Sequence, residues 1–282
     1  MRQWAINRFQ REGIEPTHVN ADELLAHCMG ITREELCNVT RPLNEKERKH
    51  YKKLVERRLN REPLQQILGH WGFWSLDLRV TRDVMVPRSE TECLVEEALN
   101  VARTYKNERI RILDLGTGSG NIAIALAHEL SRAQVIATDI SREALEVARD
   151  NAQMLGLEER ILFLQGDLFL PVDRKRFDLI VSNPPYIPTA VIKSLDPEIR
   201  CFEPIIALDG GEDGLGLLRR IIAQAGRHLS SGGWLFLEAG EGQAQSVAEM
   251  MDEKGFQRVG TVKDILGIPR VVKGSWGWTR SS

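Results

Sequence analysis

The spacing of apolar residues divides the chain into a helical opening and an alternating remainder. Trp4, Ile6, Phe9 and Ile14, then Leu24, Leu25 and Cys28, recur at intervals that lay an apolar stripe along helices. Asn20 with Glu23, and Thr32 with Glu35, are spaced as capping boxes and predict two helix starts. A further helix is expected over 45–61, with Tyr51, Leu54, Val55 and Leu59 for packing. From Trp74 the period changes to two, through Leu76, Leu78 and Val80, which predicts a short hairpin. Beyond residue 109, short apolar runs at 110–115, 133–138, 161–166, 177–182 and 234–238 alternate with helical patterns at 121–127, 214–229 and 243–254. Segments 256–262 and 270–273 read as a closing antiparallel pair. Alternation of this kind predicts an α/β fold, a mostly parallel sheet with helices on both faces and ligands beyond the carboxyl ends of its strands. The expected organisation is a helical domain over 1–66, a β-hairpin linker over 67–82 and an α/β domain over 83–282.

Several polar residues fall on that one edge. The run 110–115 leads into Gly116-Thr117-Gly118-Ser119-Gly120 and then a helical pattern. Glycines suit a sharp turn that a ligand approaches closely, and the following helix N-terminus favours a negative group. A dinucleotide-binding loop or a plain strand-to-helix turn would read similarly. The Gly-x-Gly-x-Gly spacing, the preceding Asp114 and the lack of a phosphate-pairing base in the loop disfavour the dinucleotide. Asp139 closes the second strand, where a carboxylate can accept both hydroxyls of a ribose. Asp167 ends the third strand, beside the expected adenine pocket.

After the fourth strand comes Asn183-Pro184-Pro185-Tyr186. Pro-Pro alone commonly marks a turn closing a strand. A site that methylates a planar amide or amino nitrogen, however, must hold the N–H₂ group in line with a methyl donor. The Asn183 side-chain oxygen and the Pro184 carbonyl can each accept one N–H, and Tyr186 offers an aromatic face for a flat group. Next to a donor-binding loop, this second reading prevails.

Composition bounds the chain loosely. With 282 residues and 42% hydrophobic content it can bury a large core, and its net charge of −2 gives no bulk attraction to nucleic acid. The charge is uneven: residues 1–82 hold 15 Lys and Arg against 11 Asp and Glu, the remainder 23 against 29. Lys46, Arg48, Lys49, Lys52, Lys53, Arg57, Arg58 and Arg61 concentrate it on one helix, as a solvated face or a docking surface. Four scattered cysteines without Cys-x-x-Cys spacing point to a reducing compartment and no structural metal. No run approaches the ~20 apolar residues of a membrane span. A cytoplasmic protein without membrane association is expected.

Pro87-Arg88-x-Glu90-Thr91-Glu92, the 114–120 loop, the tetrapeptide, Glu203-Pro204 and Asp209-Gly210-Gly211-x-Asp213-Gly214-Leu215 together resemble the peptide chain release factor glutamine methyltransferases. The resemblance covers nearly the whole chain, with departures at Ser89 and Leu168. It implies a class I, Rossmann-like seven-stranded sheet with a small all-α N-terminal domain joined by a hairpin. It implies S-adenosylmethionine as methyl donor, held by Gly116, Thr117, Gly118, Ser119, Gly120, Asp139, Asp167, Leu168 and Asn183. It further implies that Asn183, Pro184, Pro185 and Tyr186 bind and methylate the glutamine side chain in the Gly-Gly-Gln motif of class 1 release factors. Arg88 and Glu92 are candidates for the donor's methionine end, and Ser89 with Glu92 for a cap. The rivals are a glutamine methyltransferase acting on a ribosomal protein, an adenine amino-methyltransferase acting on nucleic acid, and a non-catalytic domain that binds the donor. Only the last predicts a damaged tetrapeptide.

Overall fold

Four helices open the chain in the computed structural model, which describes residues 1–106 and 109–277: α1 (Arg2–Arg11), α2 (Thr17–Met29), α3 (Glu45–Leu59) and the short α4 (Leu64–Leu68). Thr32 and Glu35 make the expected reciprocal hydrogen bonds, at the head of a 3₁₀ turn. Asn20 does not cap. The extended Pro16 precedes Thr17, so α2 starts earlier, and the Asn20 side chain donates back to the Pro16 carbonyl from inside the helix. A reciprocal cap between Asn44 and Glu47 instead starts α3.

The apolar stripes meet in a core of Ile6, Phe9, Leu24, Tyr51, Leu54 and Val55, with the Tyr51 hydroxyl donating to the Ala21 carbonyl at 3.0 Å. Arg58, expected on the charged face, is buried. It donates to Asn20 Oδ1 at 2.7 Å and to Glu198 Oε1 at 3.0 Å. Glu198 lies in Asp196–Phe202, which completes this unit together with Met1–His70. Lys46, Arg48, Lys49, Lys52 and Lys53 are exposed along α3.

Strands β1 (His70–Phe73) and β2 (Leu76–Arg79) form a two-stranded hairpin. Its turn residues Trp74 and Ser75 both have positive φ, 51° and 60°, the backbone that matches the right-handed strand twist.

The second unit takes Trp71–Leu195 and the chain from Glu203 onward. Along the chain come α5 (Glu92–Ala102), β3 (Ile110–Leu115), α6 (Asn121–Glu129), β4 (Ala133–Asp139), α7 (Arg142–Met154), β5 (Ile161–Gln165) and β6 (Phe177–Ser182). Two short helices follow, α8 (Thr189–Ile192) and α9 (Pro197–Arg200), the latter part of the first unit. Then come α10 (Gly216–His228), β7 (Leu229–Glu238), α11 (Ala244–Glu253), β8 (Gln257–Lys263) and β9 (Pro269–Trp276).

The sheet order is β5-β4-β3-β6-β7-β9-β8, parallel except for β9, which runs antiparallel to both neighbours. Alternation along β3 divides the core. Ile110 and Ile112 join the cluster with α5, α6 and α7, whereas Leu113 and Leu115 join the one with α10 and α11. β7 begins at Leu229 rather than at 234, because Gly232, with φ of 77°, lets the strand bulge between the pairs Phe177 with Leu229 and Leu179 with Trp234. The strand order reverses between β3 and β6, the point where such sheets open a crevice. Among the described residues no helix is long and apolar enough to cross a membrane.

Candidate active site

The loop from β3 to α6 is held open by glycine. Gly120 ends it with φ of 83°, and a Cβ there would lie 2.9 Å from Ile124 Cδ1 and 3.1 Å from Ala148 Cβ, so its role is close packing of α6 on α7. Gly116 and Gly118 also have positive φ, but a Cβ on either meets nothing within 4 Å and would project into free space. The loop is pinned from behind. The Gly116 and Thr117 amides donate to the Thr138 carbonyl at 2.8 and 3.0 Å, and the Gly118 amide donates to Asp139 Oδ2 at 2.9 Å. Buried Asn151 donates to the Ser119 carbonyl at 2.9 Å and accepts from the Arg79 amide, tying the loop to β2. Nothing in the local sequence pattern marks Asn151 for this task.

The three strand-end acids have different surroundings. Asp139 accepts from the Gly118 and Ser141 amides, one on each oxygen, and burial pushes its carboxyl up. Each of its oxygens keeps acceptor capacity. Asp167 pairs with Arg220 at 2.5 Å in partly exposed surroundings. Asp114 is fully buried and accepts from the Thr117 hydroxyl at 2.6 Å, with the Ala123 amide also favouring its ionised form. Burial pushes it up to about 7. It braces the loop from inside.

The tetrapeptide follows β6 and is gripped from several sides. The Asn183 amide nitrogen donates to the Thr91 hydroxyl at 3.0 Å, which leaves Oδ1 as the side chain's remaining polar atom. The Tyr186 hydroxyl donates to Glu238 Oε1 at 3.2 Å, and the Tyr186 carbonyl accepts from Gln243 Nε2 at 2.9 Å. The glycines of 209–215 fit against the same backbone: a Cβ at Gly210 would lie 2.8 Å from Tyr186 Cα, and one at Gly214 2.3 Å from the Tyr186 carbonyl oxygen. Ile187 pairs with Asp209 as an isolated parallel bridge. The Asp-Gly-Gly motif is thus the seat of the tetrapeptide. Thr91, Glu238 and Gln243 were not legible as partners of Asn183 and Tyr186, since each lies more than fifty positions away in the chain.

A cavity of about 700 Å³ opens between these segments. Its walls include Gly116, Thr117, Gly118, Ser119, Asp139, Asp167, Leu168, Asn183 and Pro185. Gly120, Pro184 and Tyr186 adjoin these residues in the chain but are not among those that line the cavity. Ile140, Ile205 and Ile206 give it exposed apolar surface. Arg88 and Glu92 are engaged elsewhere. Arg88 donates to buried Glu203 Oε1 at 2.5 Å, and Glu92 accepts from the Trp74 amide at 2.8 Å, steadying the hairpin turn. With Glu92 so occupied, Ser89 makes no capping bond and donates to Glu90 instead.

Comparison with known proteins agrees with this geometry. Residues 1–69 match the PrmC N-terminal domain family, and residues 106–266 match a methyltransferase domain family. The release factor glutamine methyltransferase of Geobacter sulfurreducens is 44% identical over 275 residues, which cover 97% of this chain and 95% of that protein. The protein of the same name in Caulobacter vibrioides is 41% identical, over 96% of this chain and 93% of its own. A crystal structure of a methyltransferase from Pyrococcus furiosus shares the fold, with a TM-score of 0.54 at 18% identity, covering 80% of this chain and 100% of that one. An intact tetrapeptide beside an open glycine loop, in a chain this similar from end to end, places the protein in the S-adenosylmethionine-dependent release factor glutamine methyltransferase family.

Proposed function

We propose that the protein methylates the side-chain amide nitrogen of the glutamine in the Gly-Gly-Gln motif of class 1 peptide chain release factors. The observation that carries this reading is the commitment of the Asn183 nitrogen to Thr91, which leaves the oxygen of this cavity-lining residue to accept. A glutamine amide presents two N–H groups. Asn183 Oδ1 takes one and the Pro184 carbonyl the other, while Pro185 and Tyr186 bracket the amide plane. Both acceptors raise electron density on the nitrogen and fix its direction. No titrating base is required, because the nitrogen becomes acidic as it is alkylated and its proton passes to water.

The cavity fits S-adenosylmethionine on the chemistry of its donor set. Gly116 and Gly118 leave an open cradle that any side chain would fill, with Thr117, Ser119 and Gly120 completing the loop around the methionine end. Asp139 keeps a lone pair on each oxygen for the ribose hydroxyls, and Asp167 and Leu168 flank the adenine. When bound, the cofactor supplies an electrophilic methyl group on a sulfonium sulfur. Residues 1–66 would read the release factor, with the exposed cations of α3 as the docking face, and residues 83–282 would carry the chemistry. On this reading the reaction takes place in the cytoplasm and calls for no direct contact with nucleic acid.

The test incubates the protein with isotopically labelled S-adenosylmethionine and, separately, a purified release factor, ribosomal protein and DNA. Mass spectrometry should locate the methyl on the Gly-Gly-Gln glutamine. Label appearing only on ribosomal protein or on adenine would overturn the assignment.

A further inference from the structure

Two buried side chains meet behind the tetrapeptide. Thr91, 0% exposed, precedes α5, and Glu238, 1% exposed, ends β7. Tyr186 donates to one oxygen of Glu238, and Asn183 donates to Thr91. The Thr91 hydroxyl lies near enough to the Glu238 carboxyl to favour its ionised form, and Glu238 Oε2 has no hydrogen-bond partner among the described residues.

A hydroxyl has one proton and two lone pairs, and an ionised carboxylate only accepts. Having accepted from Asn183, Thr91 keeps its proton for Glu238. The carboxylate therefore sets the direction of every bond in the chain. We propose that Glu238 is a positioning residue for methyl transfer: acting through Thr91 and Tyr186, it holds the Asn183 amide with Oδ1 toward the cavity and holds the Tyr186 ring in place. The inference rests on the reading of Asn183 as acceptor for the substrate amide. A group able to donate at position 238 would let the Thr91 proton turn toward Asn183. The amide would then flip and present N–H₂ to N–H₂, which cannot hold the substrate.

The groups facing Glu238 are Tyr186 after β6, Thr91 and Glu90 before α5, and Arg270 on β9; Cys93 on α5 also feels its charge, and Arg88 acts on Tyr186. Burial outweighs the favourable partners and pushes Glu238 up to about 7. The ionised, direction-setting form therefore gives way to the protonated form as pH falls through about 7.

The experiment compares kcat, KM for the release factor and calorimetric cofactor affinity in wild type, Glu238→Gln, Thr91→Val, Thr91→Ser and the Glu238→Gln/Thr91→Val pair. Glu238→Gln and Thr91→Val should each lower kcat about 10- to 100-fold, as for loss of one oriented contact, with cofactor affinity nearly unchanged. Thr91→Ser, which keeps the hydroxyl, should recover most of the rate, and the pair should lose little more than either single change. Wild-type kcat should fall below about pH 7, and this fall should vanish in Glu238→Gln although Asp114 remains. Thr91→Val turning over at the wild-type rate would overturn the inference, and should Glu238→Gln fail to fold, the Thr91 pair of variants still decides it. A wild-type enzyme that methylates no release factor would instead overturn the reading on which the inference rests.

Discussion

Substitution of Gly214 by alanine tests whether the 209–215 segment seats the tetrapeptide. The new Cβ would lie 2.3 Å from the Tyr186 carbonyl oxygen and 2.6 Å from Gln243 Nε2. A carbon and an oxygen in weak contact rest about 3.3 Å apart, so the Tyr186 backbone must retreat by roughly 1 Å. The φ of 75° adds about 1 kcal/mol of left-handed strain, and overpacking a tight site adds about 1–3 kcal/mol. Together these should lower the melting temperature by roughly 5–15 °C for a unit of this size. A displacement of about 1 Å at a positioning element costs about a hundredfold in rate. Gly242→Ala is the control, since its φ of 81° imposes similar strain while its Cβ meets nothing within 4 Å. Thermal melts and initial rates of methyl transfer should show both variants destabilised and only Gly214→Ala slowed. Equal rates in the two variants would refute the argument that the glycine seat sets the position of Tyr186.

Asn183→Ala should lower kcat by about 10²–10³ while cofactor affinity changes only a few fold, measured by single-turnover rates and calorimetry. Arg88→Ala leaves buried Glu203 without its cation and should destabilise by about 3 kcal/mol in urea, a loss that Arg88→Ala/Glu203→Gln should partly restore. Asp114, held up to about 7, retains a proton in the native state that the unfolded chain has already released above about pH 4. Stability should therefore fall as pH rises through that window and level off above it, by an amount on the order of 4 kcal/mol, with Glu238 adding in the same direction. Urea midpoints measured against pH should flatten in Asp114→Asn.

The elements of the α/β unit were readable because apolar runs and glycines report strand ends directly, and the edge carrying the loop, Asp139, Asp167 and Asn183 followed from alternation alone. What the pattern concealed are partners brought together by long excursions of the chain. Thr91, Asn151, Glu238 and Gln243 are ordinary polar residues in sequence, and only hydrogen bonds formed in the folded chain make them neighbours of the site. Arg58 reads as one more solvated cation in a charged helix until Asn20 and Glu198 enclose it. Capping signals failed where a competing backbone partner existed, as at Asn20 with Pro16 and Glu92 with Trp74.

That enclosure of Arg58 bears on any attempt to dissect the molecule. A fragment ending at residue 66 would carry a desolvated guanidinium stripped of its counter-charge, because Glu198 is encoded more than a hundred positions downstream. Truncation would therefore injure the fragment that is kept as well as remove the one that is not. Failure of such a fragment to bind a release factor could not be taken as evidence that residues 1–66 do not recognise it. Exchanging the surface lysines of α3 on the full-length chain avoids that confusion, since those side chains can change while the buried cation keeps its anion.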